Sequence, residues 1–211
     1  MGGFCRADKY VFFGKVMTKA KRKKSVPQPG RVYRTRELAP WGANTPRLAK
    51  RLVGQGRLVA LAHGLFSCPR RSKFGPVPPD DRELMRAFLS GAPFVFTGPE
   101  AWNTLGLGTT AVFAVPLVYN TKRSGLFEFG GRKLLLRRVA FPAQPSPEWF
   151  VVDLFEHAGQ AAASLQELTQ ALSHRVSAGA FDASKLRKMA ARYGSLATRL
   201  AIASALGEDL S

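Results

Sequence analysis

The sequence predicts an α+β protein, and three stretches predict it. Between residues 31 and 69 two short helix signals precede a glycine-turned hairpin; between residues 94 and 139 Val- and Phe-rich runs alternate with glycines; after Pro147 leucines recur at helical spacing. An apolar content of 45%, with 15 Phe and 3 Trp, can bury enough surface to offset the entropy of ordering the chain, which excludes wholesale disorder. The 211 residues allow one large domain or two small ones, and charge favours two. Residues 1–73 hold 18 Lys and Arg against Asp8 and Glu37, whereas residues 74–211 hold 14 basic and 12 acidic side chains. A surface that displaces the condensed counterions of a nucleic acid gains affinity with each phosphate it neutralises. The head therefore reads as a polyanion-binding module on an electrically ordinary body, the alternative being a solvated basic tail.

Residues 1–30 read as a basic arm and hinge. Met17 stands just before the basic run 19–24, so residues 1–16 are expected to be an upstream extension that contributes little. Lys21, Arg22, Lys23 and Lys24 are expected to follow a nucleic-acid backbone or enter a minor groove. Ser25-Val26-Pro27-Gln28-Pro29-Gly30 cannot continue a helix, and folded structure is expected to resume at Arg31.

Residues 31–73 carry the most specific local signals. Thr35 can cap a short helix through Trp41, and Gly42 can supply a turn. Asn44 or Thr45 can cap a second helix, with Pro46 in its first turn and Gly54 or Gly56 at its end. Leu48, Ala49, Leu52 and Val53 share one side of that helix; Arg47, Lys50, Arg51 and Gly54 share the other. Leu58-Val59-Ala60-Leu61 and Leu65-Phe66-Ser67-Cys68 then read as strands joined by a tight turn at His63-Gly64. The order is that of a winged helix-turn-helix. A helix about 10 Å across fits the major groove, where guanidinium groups reach guanine edges and Asn reaches adenine. Asn44, Thr45, Arg47 and Arg51 are accordingly placed at base edges, and Arg34, Arg36, Lys50 and Arg57 at phosphates. His63 reads as a phosphate contact or as a plain polar tip of the turn, and the outer face of the second helix as a reading face or an ordinary solvated one.

Residues 74–211 follow as a mixed α/β body with a helical C-terminal part. The proline-rich stretch 69–79 is expected to be a stiff, extended boundary, and residues 142–147 a further one. Phe94-Val95-Phe96, residues 115–119, 126–129 and 133–139 read as strands. Leu165, Leu168 and Leu172, and then Leu186, Met189, Ala190, Tyr193, Leu196 and Leu200, have the spacing of amphipathic helices packed on a core. Asn103 is expected to bond local backbone.

Several function classes find no support. Cys5 and Cys68 are too far apart in sequence to indicate a disulfide framework or a cysteine-based zinc site, and a reducing cytoplasm fits them. No apolar run approaches the roughly 20 residues that span a bilayer. The acids Glu100, Glu128, Glu148, Asp153 and Glu156 are scattered, and no metal-dependent nuclease pattern joins them. His157 and His174 read as ordinary helix residues, and Gly106-Leu107-Gly108 and Gly130-Gly131 as turns rather than phosphate loops.

Taken together, Arg47-Leu48-Ala49-Lys50-Arg51-Leu52-Val53, Leu61-Ala62-His63-Gly64-Leu65-Phe66, Lys73-Phe74-Gly75-Pro76-Val77-Pro78-Pro79 and Gly98-Pro99-Glu100-Ala101-Trp102-Asn103-Thr104-Leu105-Gly106-Leu107 resemble, in order and spacing, the winged-helix antitoxins of the AbiEi type. Those proteins belong to type IV toxin–antitoxin and abortive-infection systems, and the resemblance runs over residues 31–141. It implies a cytoplasmic prokaryotic repressor that binds inverted repeats in its own promoter, as a dimer or cooperatively, and counteracts a nucleotidyltransferase-like toxin in phage defence. The antitoxin action falls to the part beyond the winged helix. Two features depart from the family: His63 stands where Arg or Lys is expected before the wing glycine, and the Ala-rich tail from Ala158 is harder to match.

The expectation is thus a DNA-binding antitoxin and repressor that is not an enzyme and requires no cofactor or metal. An RNA-binding protein gripping tRNA or rRNA is the first alternative, and a nucleic-acid-processing enzyme the second.

Overall fold

Asn44 sets the start of the first α-helix. Its side-chain oxygen accepts the Arg47 N–H at 3.1 Å, and Pro46 occupies the first turn, where a missing N–H costs nothing. In the computed structural model, which describes residues 27–208, this helix is α1 (Thr45–Gly54). Leu48, Ala49 and Leu52 are buried, while Arg47, Lys50 and Arg51 face outward. Before it come strand β1 (Val32–Arg34) and a 3-10 helix, Thr35–Trp41. The residue preceding that turn is Arg34 rather than Thr35, and its N–H is held by the Glu37 carboxylate at 2.7 Å. After α1 come β2 (Val59–Ala62) and β3 (Leu65–Ser67). The three strands form an antiparallel sheet in the order β1-β3-β2. The arm residues Lys21, Arg22, Lys23 and Lys24, and the expected extension 1–16, lie outside the described residues.

Residues 69–79, expected to be an extended boundary, instead fold back on themselves. Strands β4 (Arg70–Ser72) and β5 (Gly75–Val77) pair antiparallel around a two-residue turn, Lys73-Phe74. Pro76 fits there because β5 has only one neighbour, so its missing N–H breaks no ladder.

Helix α2 (Asp81–Phe88) begins at Asp80, whose carboxylate accepts the N–H groups of Arg82 and Glu83. It closes the open edge of β1. The Val32 N–H donates to Glu83 Oε1 at 3.1 Å, and the Val32 carbonyl accepts from Arg86 at 3.1 Å. Arg86 and Glu83 are themselves joined by two hydrogen bonds, at 2.7 and 2.8 Å. Beneath this edge Val32 and Leu65 share one core with Leu84, Met85, Val118, Phe129, Leu134 and Leu136. Packing therefore crosses residue 73 without a break.

The second sheet has the order β6-β7-β9-β8, from β6 (Phe94–Thr97), β7 (Leu117–Asn120), β8 (Gly125–Phe129) and β9 (Arg132–Arg138). β7 and β9 run parallel; the other pairs are antiparallel. Gly130 and Gly131 both have positive φ, at 58° and 87°, as a two-residue hairpin turn requires. The Gly130 N–H also donates to the Leu61 carbonyl at 2.9 Å, tying this turn to β2. Between β6 and β7 lie a single helical turn, α3 (Pro99–Trp102), and a 3-10 turn, Asn103–Leu105. Asn103 bonds the Ala111 backbone carbonyl at 2.9 Å, as its sequence setting predicts.

After Pro147 the chain is helical: α4 (Pro147–Glu156), α5 (Leu165–Ser177), α6 (Ala183–Tyr193) and α7 (Leu196–Ala205). Their core gathers Val151, Leu154, Phe155, Leu168, Leu172, Leu186 and Ile202 around Trp102. The leucine pattern expected to continue from Leu186 to Leu200 is broken at Gly194. A Cβ there would lie 2.8 Å from the Ala190 carbonyl, and Ser195 caps a new helix by accepting the Thr198 N–H. The helical phase resets, which leaves Leu196 and Leu200 on the outside rather than in the core.

Burial pulls the Glu83 carboxyl upward in pKa, but hydrogen bonds from Arg86 and from the Val32 N–H outweigh it and hold the group below its ordinary range. A depressed folded-state value means that its stabilisation is present above the unfolded glutamate value of about 4.3 and is lost as pH falls through the folded one. Glu83→Ala is expected to lower unfolding free energy at neutral pH by about 1–3 kcal/mol. Glu83→Gln is expected to flatten the acid limb of the stability curve, and urea melts from pH 7 to pH 3 measure both.

Candidate nucleic-acid interface

Arg47, Lys50 and Arg51 stand on the outward face of α1, exposed and without an ion pair among the described residues. Together with Asn44 and Gly42 they line a shallow depression along the helix. Asn44 is exposed and Thr45 half-exposed, both at the N-terminal end, where helix N–H groups and the dipole favour an anion. One lone pair of the Asn44 side-chain oxygen is already spent on the cap.

Arg36, Arg57 and His63 are exposed, the last at the β2–β3 turn. Arg34 is not available as expected. Its guanidinium donates to the Ala87 carbonyl at 2.7 Å and to that of Phe88, which cap the C-terminal end of α2. The Ala87 carbonyl also takes the Ser90 N–H at 3.2 Å, and the forked cation adds a bond there and one at Phe88 while complementing the dipole. Partial burial, with Arg36 and Arg123 nearby, lowers the Arg34 pKa from its ordinary value. Arg34 thus joins the head to α2, with two of its donors committed there.

Sequence reasoning missed the cations of the β4–β5 ribbon. Arg70, Arg71 and Lys73 are all exposed, and Phe74 at the turn is 89% exposed. Across residues 27–79 ten basic side chains face a single acid, Glu37. A crevice of about 320 Å³ separates the ribbon root from the end of α1, lined by Pro27, Gln55, Arg57, Pro69 and Arg71 among others. Cys68, also at this crevice, is a buried free thiol among the described residues, and burial raises its pKa.

The body contains a polar network that the sequence pattern did not reveal. Asp153, buried on α4, accepts from the Thr97 hydroxyl, from Trp102 Nε1 at 2.8 Å and from the Tyr119 hydroxyl at 2.8 Å. Burial, then the charge of Asp153, raises the Tyr119 pKa and keeps its hydroxyl neutral. His157, one turn on, meets the Asp153 carbonyl through Nδ1 at 2.8 Å and stacks on the Trp102 ring. It is therefore more than a plain helix residue. The carboxylate binds three elements to α4, and His157 Nε2 lies 3.2 Å from the Tyr119 hydroxyl, so that Asp153, Tyr119, His157 and Arg137 together line an adjoining crevice of about 180 Å³. Among the described residues no three His, Cys, Asp or Glu side chains are grouped to hold a metal. No helix among them is long and apolar enough to cross a membrane.

No family model and no curated protein matches the chain. Among solved structures it is similar to the crystal structure of the RV2827C protein from Mycobacterium tuberculosis, with a TM-score of 0.51 and 15% identity over 84% of this chain and 71% of that one. At that identity the likeness shows a shared α+β fold and nothing about activity.

Asp153→Ala would strand three buried donors, each costing about 1–3 kcal/mol. It is expected to destabilise the protein by about 3 kcal/mol or more in thermal or urea denaturation, and Asp153→Asn, which keeps an acceptor oxygen, by less.

Proposed function

We propose that residues 31–73 are a winged helix-turn-helix that lays α1 in the major groove of duplex DNA, and that the protein is a transcriptional repressor. The observation that carries this reading is the outward face of α1, where Arg47, Lys50 and Arg51 stand exposed on a capped helix followed directly by the β2–β3 hairpin. The strand order β1-β3-β2, with both helical segments between β1 and β2, supports it. Arg47 and Arg51 read base edges, assisted by Thr45 and by the amide N–H group of Asn44. Lys50, Arg36, Arg57 and His63 fix position on phosphates. B-form DNA admits such a helix, whereas the deep, narrow major groove of A-form RNA does not, which favours DNA over the RNA-binding alternative.

On the family resemblance we further propose that the chain is the antitoxin of a type IV, AbiEi-like system, binding inverted repeats in its own promoter. The body would then counteract a nucleotidyltransferase-like toxin encoded beside it. Co-expression with that neighbour tests this part: restored growth supports it, and unrelieved toxicity contradicts it.

Fluorescence anisotropy with the promoter fragment, a random duplex and a structured RNA tests DNA recognition. Arg47→Ala or Arg51→Ala is expected to cost about 1–3 kcal/mol on the promoter site and to narrow its advantage over random duplex. Lys50→Ala is expected to weaken both duplexes alike. Equal losses on cognate and random DNA from the arginine variants would show that they do not read bases, and equal affinity for RNA would contradict the major-groove assignment.

A further inference from the structure

Phe74 stands at the tip of the β4–β5 ribbon, 89% exposed, on an ordered turn. The Ser72 hydroxyl accepts the Phe74 N–H at 3.2 Å and donates to the Gly75 carbonyl at 3.0 Å, which closes the turn. Single exposed apolar residues are common on proteins. This one differs in its surroundings. Lys73 Nζ lies 5.0 Å from the ring centroid, and Arg70 and Arg71 follow on the strand below, both exposed. An aromatic group on a cationic ribbon has the composition of a wedge that enters a base step while its neighbours neutralise the flanking phosphates.

The position fits as well as the composition. The ribbon root shares a crevice with Arg57, just beyond the C-terminal end of α1, and with Pro27. Strands of three residues carry the tip about 10 Å beyond that root. A duplex seated on α1 presents its next minor groove about half a helical turn away, roughly 17 Å along the axis.

We propose that Phe74 inserts between base pairs in the minor groove flanking the site occupied by α1, with Arg70, Arg71 and Lys73 on the adjoining phosphates, and that it kinks the duplex there. This rests on the DNA-binding reading given above. Insertion removes the exposed ring from water and trades base stacking for ring stacking, so the preferred flank contains a flexible pyrimidine–purine step.

The test uses the full chain and the promoter duplex labelled at its two ends for energy transfer, with anisotropy for affinity. Wild-type protein is expected to bring the ends together. Phe74→Ala is expected to keep the wild-type melting temperature, bind about tenfold or more weakly and leave the duplex straight. Phe74→Leu and Phe74→Met, which retain an apolar wedge, are expected to keep most of the bend. Equal bending by Phe74→Ala and wild type overturns the proposal, as does tight binding by wild type without any bend; α1 recognition survives both results. If Phe74→Ala loses affinity only for single strands or for anionic vesicles, the ring serves a different partner and the proposal is again overturned. If wild-type protein binds no duplex, the ribbon proposal and the DNA-binding reading fall together.

Discussion

The outer edge of β1 is the constraint on which the basic head depends. Val32 turns its N–H and carbonyl away from β3, and an edge strand with open backbone groups is an invitation to pair with another chain. Here Glu83 and Arg86 take both groups, and Arg34 reaches back to the last carbonyls of α2. The exchange is reciprocal: α2 supplies the missing strand partner, and β1 supplies the missing cap. Because Val32 and Leu65 continue into the core under the second sheet, and Gly130 holds Leu61, the head is fixed on the body at several points. An α1 face held this way is presented in one orientation, which lowers the ordering entropy that binding would otherwise cost.

Much of this was legible in the residues. The Asn44 cap, the helix ending at Gly54, the hairpin turning at His63-Gly64, the Phe94 and Lys133 strands and the helices after Pro147 all lie where local rules put them, because each is decided by spacing within a few residues. Helix α2 carried a readable signal too, Asp80 followed three residues later by Glu83, but its short length gave little periodicity. The ribbon was hidden by its prolines, which favour extension without telling whether the extended pieces pair. The capping role of Arg34 was not legible because charge alone does not distinguish a phosphate ligand from a helix cap; its partners lie more than fifty residues away in sequence. Asp153 shows the same limit, since its three donors come from distant elements.

The body and the head divide the chemistry between them. Three carboxylates of the body are taken up in structure, Asp153 among hydroxyls and the indole, Glu148 and Glu156 against backbone N–H groups. In the head, Arg34 is committed to α2 and Arg31 lies 3.7 Å from Glu83, whereas Arg47, Lys50 and Arg51 face solvent without an ion pair among the described residues. A fold that neutralises charge inside and leaves one cationic face unpaired concentrates its long-range field where a polyanion can use it.

Guanine N7 lies in the major groove, so methylation protection at that atom tests the central claim most directly. With the promoter fragment saturated by protein, the account predicts guanines shielded at N7 within the bound site by the wild type, and the same guanines reactive when Arg47 and Arg51 are replaced by Ala. Backbone protection without any shielding at N7 would place α1 outside the groove and contradict the account.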